Sequence, residues 1–273
     1  MKTIIVLLSL VAFVPSIQAA SHYYPKAVQD QFLQEDVQNE ELTAIIFNVL
    51  SSRHQRNNSG PDTLGCNGKR GNCYSQQSLG YRGAKRALFG TLHLEEDSRG
   101  YYVKDIYCRK EYSESQQNIG PGKIPNHQVI NCEHTWPQSR FSTKFSKGLQ
   151  KSDLHHLYPA DSKVNSVRGH YEFGNVRKSK TLKNCDASKS QKGSNYFEPP
   201  EEHKGNVARA IFYFSVRYQI DISSREEKVL RQWNLLDPID HEEEVRNDKI
   251  FELQGNRNPF IDFPQLVDKI SNF

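Results

Sequence analysis

Two stretches of the chain carry residue types that could do chemistry together. They are Asn131-Cys-Glu-His-Thr-Trp-Pro-Gln-Ser139 and Asp153-Leu-His-His-Leu-Tyr-Pro-Ala-Asp-Ser-Lys-Val-Asn-Ser-Val-Arg-Gly169. In the first, an acid and an imidazole, Glu133 and His134, stand side by side. A neutral imidazole, with an ordinary pKa of about 6.5, suits a base that takes a proton from water. A carboxylate with an amide carbonyl, here Glu133 and Asn165, suits a hard divalent cation, which prefers oxygen ligands and fills its remaining positions with water. An activated water and a cation against developing charge are what phosphodiester cleavage needs. An adjacent Glu-His pair also arises by chance, so on spacing alone an interior His134 beside a surface Glu133 is the competing reading.

Such a site needs elements to position it. The first stretch follows a short β-type run, Gln128-Val-Ile-Asn131, and ends a strand at Glu133-His134. The second reads as a strand from Asp153 to Tyr158, with Pro159 in the first turn of a following helix. That helix would carry Asp161, Asn165 and Arg168 at spacings of four and three, on one face. His155 and His156, as neighbours on a strand, would face opposite sides, with His155 supporting the site from behind. Asp161 is a weaker candidate for the same supporting role. Its alternative is an acid favoured by the helix dipole. Arg168, on the Asn165 face, is the first candidate for a phosphate contact, with Arg140 and Arg209 behind it.

The rest of the chain supplies a frame. Apolar residues from Val28 to Val49 recur at helical spacing, and Val207, Ala210, Ile211, Phe214 and Tyr218 share a helix face. Ser223 with Glu226 makes a capping box, and a run from Asp240 stops at Gly255. Segments 57–83, 110–128 and 181–200 are polar and loop-like. The expectation is one α+β domain, helix-rich at both ends, with a short irregular β centre. The 14 Phe, 13 Tyr and 2 Trp among 273 residues exclude a disordered chain despite a mean hydropathy of −0.75. No repeat or run of membrane-spanning length suggests a fibre or a bundle of spans.

Residues 1–20, MKTIIVLLSLVAFVPSIQAA, have the layout of a secretory signal peptide: Lys2, an apolar run from Ile4 to Val14, then Pro15 and small residues. Cleavage is expected between Ala19 and Ser21, leaving 21–273 as the mature domain with no membrane attachment. Five cysteines fit an oxidising compartment. Cys66 and Cys73 could close a small ring, Cys132 could pair with Cys185 or Cys108, and one thiol is left over. A zinc site is the weaker alternative, since no C-x-x-C occurs. The net charge is only +4, but residues 144–192 hold eleven basic against four acidic residues. That local excess surrounds the candidate site and suits backbone contact with a nucleic acid.

The string CEHTWPQS, followed by DLHHLYPADSKVNSVRGHYEFGNV, resembles the bacterial periplasmic and secreted endonuclease I family of ββα-metal (His-Me finger) nucleases. The likeness continues through FEPP–EEHKGNVARAIFYFSVRY and RNDKIFELQGNRNPFIDFPQLVDKI, dense over 125–273 and loose over 26–100. It implies a ββα-metal core at about 128–175, His134 as general base, and Glu133 and Asn165 as ligands of one metal ion. That ion is usually Mg²⁺, with Mn²⁺ or Ca²⁺ as substitutes. It further implies a periplasmic or secreted enzyme cutting DNA, and often RNA, with little sequence preference to 5′-phosphate products; a monomer is expected. The chain departs from the family pattern at His156, often Asn, and at KGN 204–206, often KGD, neither touching those three residues. The rivals are a secreted nucleic-acid-binding protein without turnover and a zinc hydrolase.

Overall fold

The N-terminal apolar run folds as two helices rather than one. In the computed structural model, which describes residues 22–66, 72–177, 180–182, 184–190 and 195–273, α1 (Lys26–Leu33) buries Val28 and Phe32, and α2 (Asn39–Ser51) buries Leu42, Ile46, Val49 and Leu50. Val37 is buried in the turn between them, so an apolar side chain outside any helix keeps the helical spacing going. The expected signal peptide, residues 1–20, lies outside the described residues. Among the described residues no helix is long and apolar enough to cross a membrane.

Short strands follow. β1 (His54–Gln55) pairs with both β2 (Thr63–Leu64) and β3 (Cys73–Tyr74), and the Cys66–Cys73 disulfide closes the loop between these last two. Helix α3 (Gly80–Ala87) runs into a wide turn, Leu88–Leu92, where Gly90 is required: a Cβ there would lie 2.4 Å from the Gly122 amide nitrogen. β4 (Glu95–Asp97), β5 (Gly100–Lys104) and β6 (Glu111–Ser113) form an antiparallel meander.

The centre is a two-stranded antiparallel pair, β7 (Ile130–His134) with β8 (Leu157–Asp161), joined through helix α4 (Lys147–Ser152) and followed at once by helix α5 (Ser162–Arg168). Pro159 lies within β8, opposite Cys132, rather than in a helix. A two-stranded pair leaves β8 a free edge, where a missing N–H does no harm, and the Pro159 carbonyl accepts a bond from the Ile106 N–H at 3.0 Å. The segment before it, Leu154–His156, is a 3₁₀ turn and not strand. A second small sheet, in the order β10 (Lys180–Leu182), β11 (Cys185–Ser190), β12 (Tyr196–Glu198), β9 (Glu172–Phe173), covers one side.

Four helices complete the chain: α6 (Lys204–Tyr218), α7 (Ser224–Leu236), α8 (His241–Gln254) and α9 (Pro259–Asp262). Every residue of α6 except Asn206 is buried, so it is the central helix rather than an amphipathic surface one. The capping box holds, with the Ser223 hydroxyl accepting from the Glu226 N–H, and Gly255 ends α8 at a φ of 81°. The result is a single mixed α+β domain, as expected. The β7–β8 pair lies between two apolar clusters. The larger, around α6, takes in Trp136, Ala160 and Val164; the smaller takes in Ile130, Cys132, Leu154 and Leu157.

One cysteine expectation changes. Cys108 and Cys185, with Cα atoms 4.6 Å apart, bridge to each other, and Cys132 is the buried free thiol. Its place on β7 turns it into the smaller apolar cluster, away from both partners suggested by the sequence.

Candidate active site

Alternation along β7 sorts its side chains into two sets, Asn131 and Glu133 on one face, Ile130, Cys132 and His134 on the other. The ladder ends at His134–Leu157, so acid and imidazole leave opposite faces of the strand at its last residues and border the same cleft of about 350 Å³.

Helix α5 reaches this cleft because its first turn is tied down. Asp161 is the N-cap, not a residue inside the helix: Oδ1 accepts from the Lys163 and Val164 N–H groups. Its Oδ2 accepts from Lys110 Nζ at 2.8 Å and the Tyr112 hydroxyl at 2.9 Å. The carboxyl is held below its ordinary range despite burial, by these bonds together. Asp161 therefore orients the helix. One turn on, Asn165 donates Nδ2 to Asn131 Oδ1 at 2.7 Å, and Asn131 donates to Ser162 Oγ at 3.1 Å. The Asn165 amide oxygen is left for another partner.

Glu133 is 1% exposed. Its Oε1 accepts from the Tyr107 hydroxyl at 2.8 Å and lies 3.1 Å from the Arg168 guanidinium; both contacts fall on this one oxygen. Burial pushes the carboxyl's pKa up, and Arg168 and Tyr107 pull it back. Arg168 is itself 1% exposed and bonds to the carbonyls of His134, Thr135 and Gly169, stacked over Phe173. The expected phosphate contact thus faces inward, fixing the end of β7 and the acid.

His134 is 7% exposed. Its Nε2 lies 3.2 Å from the Lys151 backbone carbonyl, which can only accept, so Nε2 carries the hydrogen. The lone pair is then on Nδ1, which accepts a long hydrogen bond from Gln138 Nε2 at 3.5 Å. Burial, reinforced by His156 and the nearby cations, holds the ring's pKa well below the ordinary value, so it is neutral at pH 7. The ring lies among Tyr81, Phe141 and His156 at centroid distances of 5.6, 6.3 and 5.4 Å.

The histidine beside His134 is therefore His156, not His155. Because Leu154–His156 is a 3₁₀ turn, strand alternation does not apply there. His155 turns away, bonds through Nε2 to the Asn256 carbonyl and packs on Tyr213. His156 bonds to the Gln150 carbonyl at 2.8 Å, and burial drops its pKa to about 4. Arg209 is not brought to the cleft: it is 1% exposed and locked to Glu243. Arg140 lies over Trp136 and pairs with Glu226 at 3.1 Å. None of the three arginines presents a free guanidinium.

The geometry adds residues that sequence reasoning did not single out. Asn131, two positions before Glu133, shares its face and was within reach of the period-2 argument. Tyr107, Gln138 and the Lys151 carbonyl carried no local signal. The oxygen donors at the cleft, one carboxylate and two side-chain amides, fit a hard divalent cation that keeps several non-protein ligands. Among the described residues no group of three His, Cys, Asp or Glu side chains is placed to hold a metal.

Comparison with known proteins places the chain in a family. The family model for Endonuclease I matches residues 70–265. The chain is 37% identical over 172 residues to an extracellular ribonuclease of Bacillus subtilis (strain 168), covering 56% of this chain and 57% of that protein. It is 31% identical over 147 residues to Endonuclease-1 of Buchnera aphidicola subsp. Acyrthosiphon pisum (strain APS), 48% of this chain and 59% of that one. A periplasmic deoxyribonuclease of Aeromonas hydrophila is 32% identical over 185 residues, 58% of this chain and 77% of that one. The chain thus spans little more than half of the Bacillus and Buchnera relatives. The match of site-bearing strands, helix α5 and the C-terminal helices to one family is continuous, and the chain belongs to the Endonuclease I family.

Proposed function

We propose that this chain is an exported, monomeric endonuclease that hydrolyses phosphodiester bonds without reading base sequence, in DNA and, as a second substrate, in RNA. β7, β8 and α5 would be its ββα-metal unit. The observation that carries the reading is the state of His134 on a cleft lined by oxygen donors: neutral, its Nε2–H held by the Lys151 carbonyl, its Nδ1 lone pair met by Gln138 Nε2 at 3.5 Å.

In this reading His134 Nδ1 takes a proton from a water that attacks phosphorus in line, the bond to the 3′ oxygen breaks, and that oxygen takes a proton from solvent, leaving a 5′-phosphate and a 3′-hydroxyl. Glu133 and Asn165, with Asn131 steadying the amide, would hold one divalent cation, Mg²⁺ by the hardness of the donors, with Mn²⁺ or Ca²⁺ as stand-ins. When bound, that cation supplies positive charge against the charge developing on the phosphate and the departing oxygen. Arg168 keeps Glu133 and the His134 carbonyl in place; Gln138 orients toward the base. Relatives named extracellular and periplasmic, the signal-like leader and two disulfides support export.

The test is nicking of supercoiled plasmid by EDTA-treated protein resupplied with single metals at low salt. Mg²⁺ should restore cutting and Asn165→Ala should blunt it. Restoration by Zn²⁺ alone would overturn the cation assignment. DNA binding with no cutting under any metal would leave a binding protein instead.

A further inference from the structure

A cationic shelf adjoins His134. Tyr81 and Lys85, four apart on α3, share a face, and α4 packs against that helix. Lys85 Nζ lies 4.8 Å from the Tyr81 ring centroid, and Lys151 Nζ, from the end of α4, lies 4.3 Å from the same centroid. The Tyr81 ring is 5.6 Å from the His134 ring, and Lys151 also supplies the carbonyl that fixes the His134 tautomer. The shelf and the base are thus one assembly.

Its charges are not balanced locally. Neither α3 nor α4 contains an acid, and neither lysine is ion-paired to a carboxylate among the described residues. Both side chains are half-buried, and exposed Arg82 and Arg86 extend the positive surface along α3. Two ammonium groups gathered on one aromatic ring gain cation–π attraction but repel each other, and a bound anion offsets that repulsion. A ring already holding two ammonium groups offers poor space for stacking a base, so the complementary ligand is phosphate.

We propose that Tyr81, Lys85 and Lys151 form a subsite for the phosphodiester backbone flanking the bond that is cut, with the lysines as phosphate contacts and Tyr81 as their positioning residue. This rests on the nuclease reading above and adds where the substrate strand runs: from the cleft past His134 and onto α3.

The experiment compares wild type, Lys85→Gln/Lys151→Gln, Tyr81→Leu, Tyr81→Phe and, as a control on α7, Lys228→Gln. Binding of a labelled oligonucleotide is measured in EDTA from roughly 50 to 200 mM salt, and cleavage is measured with Mg²⁺. The double variant should raise Kd and KM about tenfold and flatten the log–log salt slope by roughly 1–2. Tyr81→Leu should weaken binding to a smaller extent, Tyr81→Phe should restore it, and Lys228→Gln should match wild type. Should the double variant misfold, Lys85→Gln alone serves, with a slope change of roughly one. Wild-type Kd and slope in the lysine variants, with wild type cutting normally, would overturn the subsite alone. A wild type that neither binds nor cuts would overturn the nuclease reading and the subsite with it.

Discussion

Arg209–Glu243 and Arg168–Glu133 are ion pairs of the same residue types, buried to the same degree, with side chains 1% and 1% exposed in the first and 1% and 2% in the second. They differ in how completely they are bonded. Arg209 Nε reaches both Glu243 oxygens at 2.9 Å, its Nη2 takes Oε2, and its Nη1 takes Asn234 Oδ1 and the Asp237 carbonyl. Arg168 turns its Nη atoms on backbone carbonyls, meets one oxygen of Glu133, and leaves its Nε buried without a partner among the described residues. A closed network has no capacity for a ligand and acts as a brace between α6 and α8. The open one borders a cleft with two amide side chains. Burial of a charge pair does not distinguish brace from site; completeness of its bonding does.

The sharpest way to break the comparison is to cut both pairs and compare stability with activity. Arg209→Met leaves a lone buried carboxylate and should cost about 3–5 kcal/mol in urea unfolding, with cleavage per folded molecule unchanged. A parallel fall in cleavage per folded molecule would erase the distinction. Glu133→Gln keeps the shape but removes the charge. Cleavage should drop by at least about a hundredfold, since the cation's share of transition-state charge is worth several kcal/mol. A loss proportional only to the unfolded fraction in a melt would make this pair a brace as well.

Acid should then affect both regions together. Burial lowers the pKa of His155 and His156 to about 4 and of His203 to about 3. The unfolded chain binds these protons near pH 6.5, so their stabilisation is complete above that pH. It is lost as pH falls toward 4, by up to about 1.4 kcal/mol per pH unit for each group. Melting temperatures at pH 7 and 5 should show the decline, and His203→Phe should reduce its slope without changing cleavage at pH 7. The smallest effect belongs to the exposed Lys26–Asp30 pair, with side chains 71% and 49% exposed. Asp30→Ala should shift the melting temperature by no more than about 1–2 °C, which would show that burial, not pairing as such, gives the other two their weight.

What could be read from the sequence follows the range of the physics involved. Caps are local, so Ser223 and Gly255 mark helix ends from within four residues. Glu133-His134 and Asn165 could be picked out as candidates because they sit in strings of specific composition, and the fold brings them to one cleft. The arginines were misplaced for the opposite reason: their partners lie 34 residues away for Arg209, 35 for Arg168 and 86 for Arg140, and no local pattern reports such a pairing. Pro159 and the Leu154–His156 turn were misread because a free-edge strand and a 3₁₀ turn are decided by what packs beside them. The Cys108–Cys185 bridge depends on the same long-range placement.

The most direct test of the account is plasmid nicking by the mature protein with Mg²⁺, beside His134→Ala, with DNA binding measured on both. Removing the base should lower cutting by roughly 10²- to 10⁴-fold while binding stays within about twofold. A His134→Ala protein that cuts at the wild-type rate would contradict it.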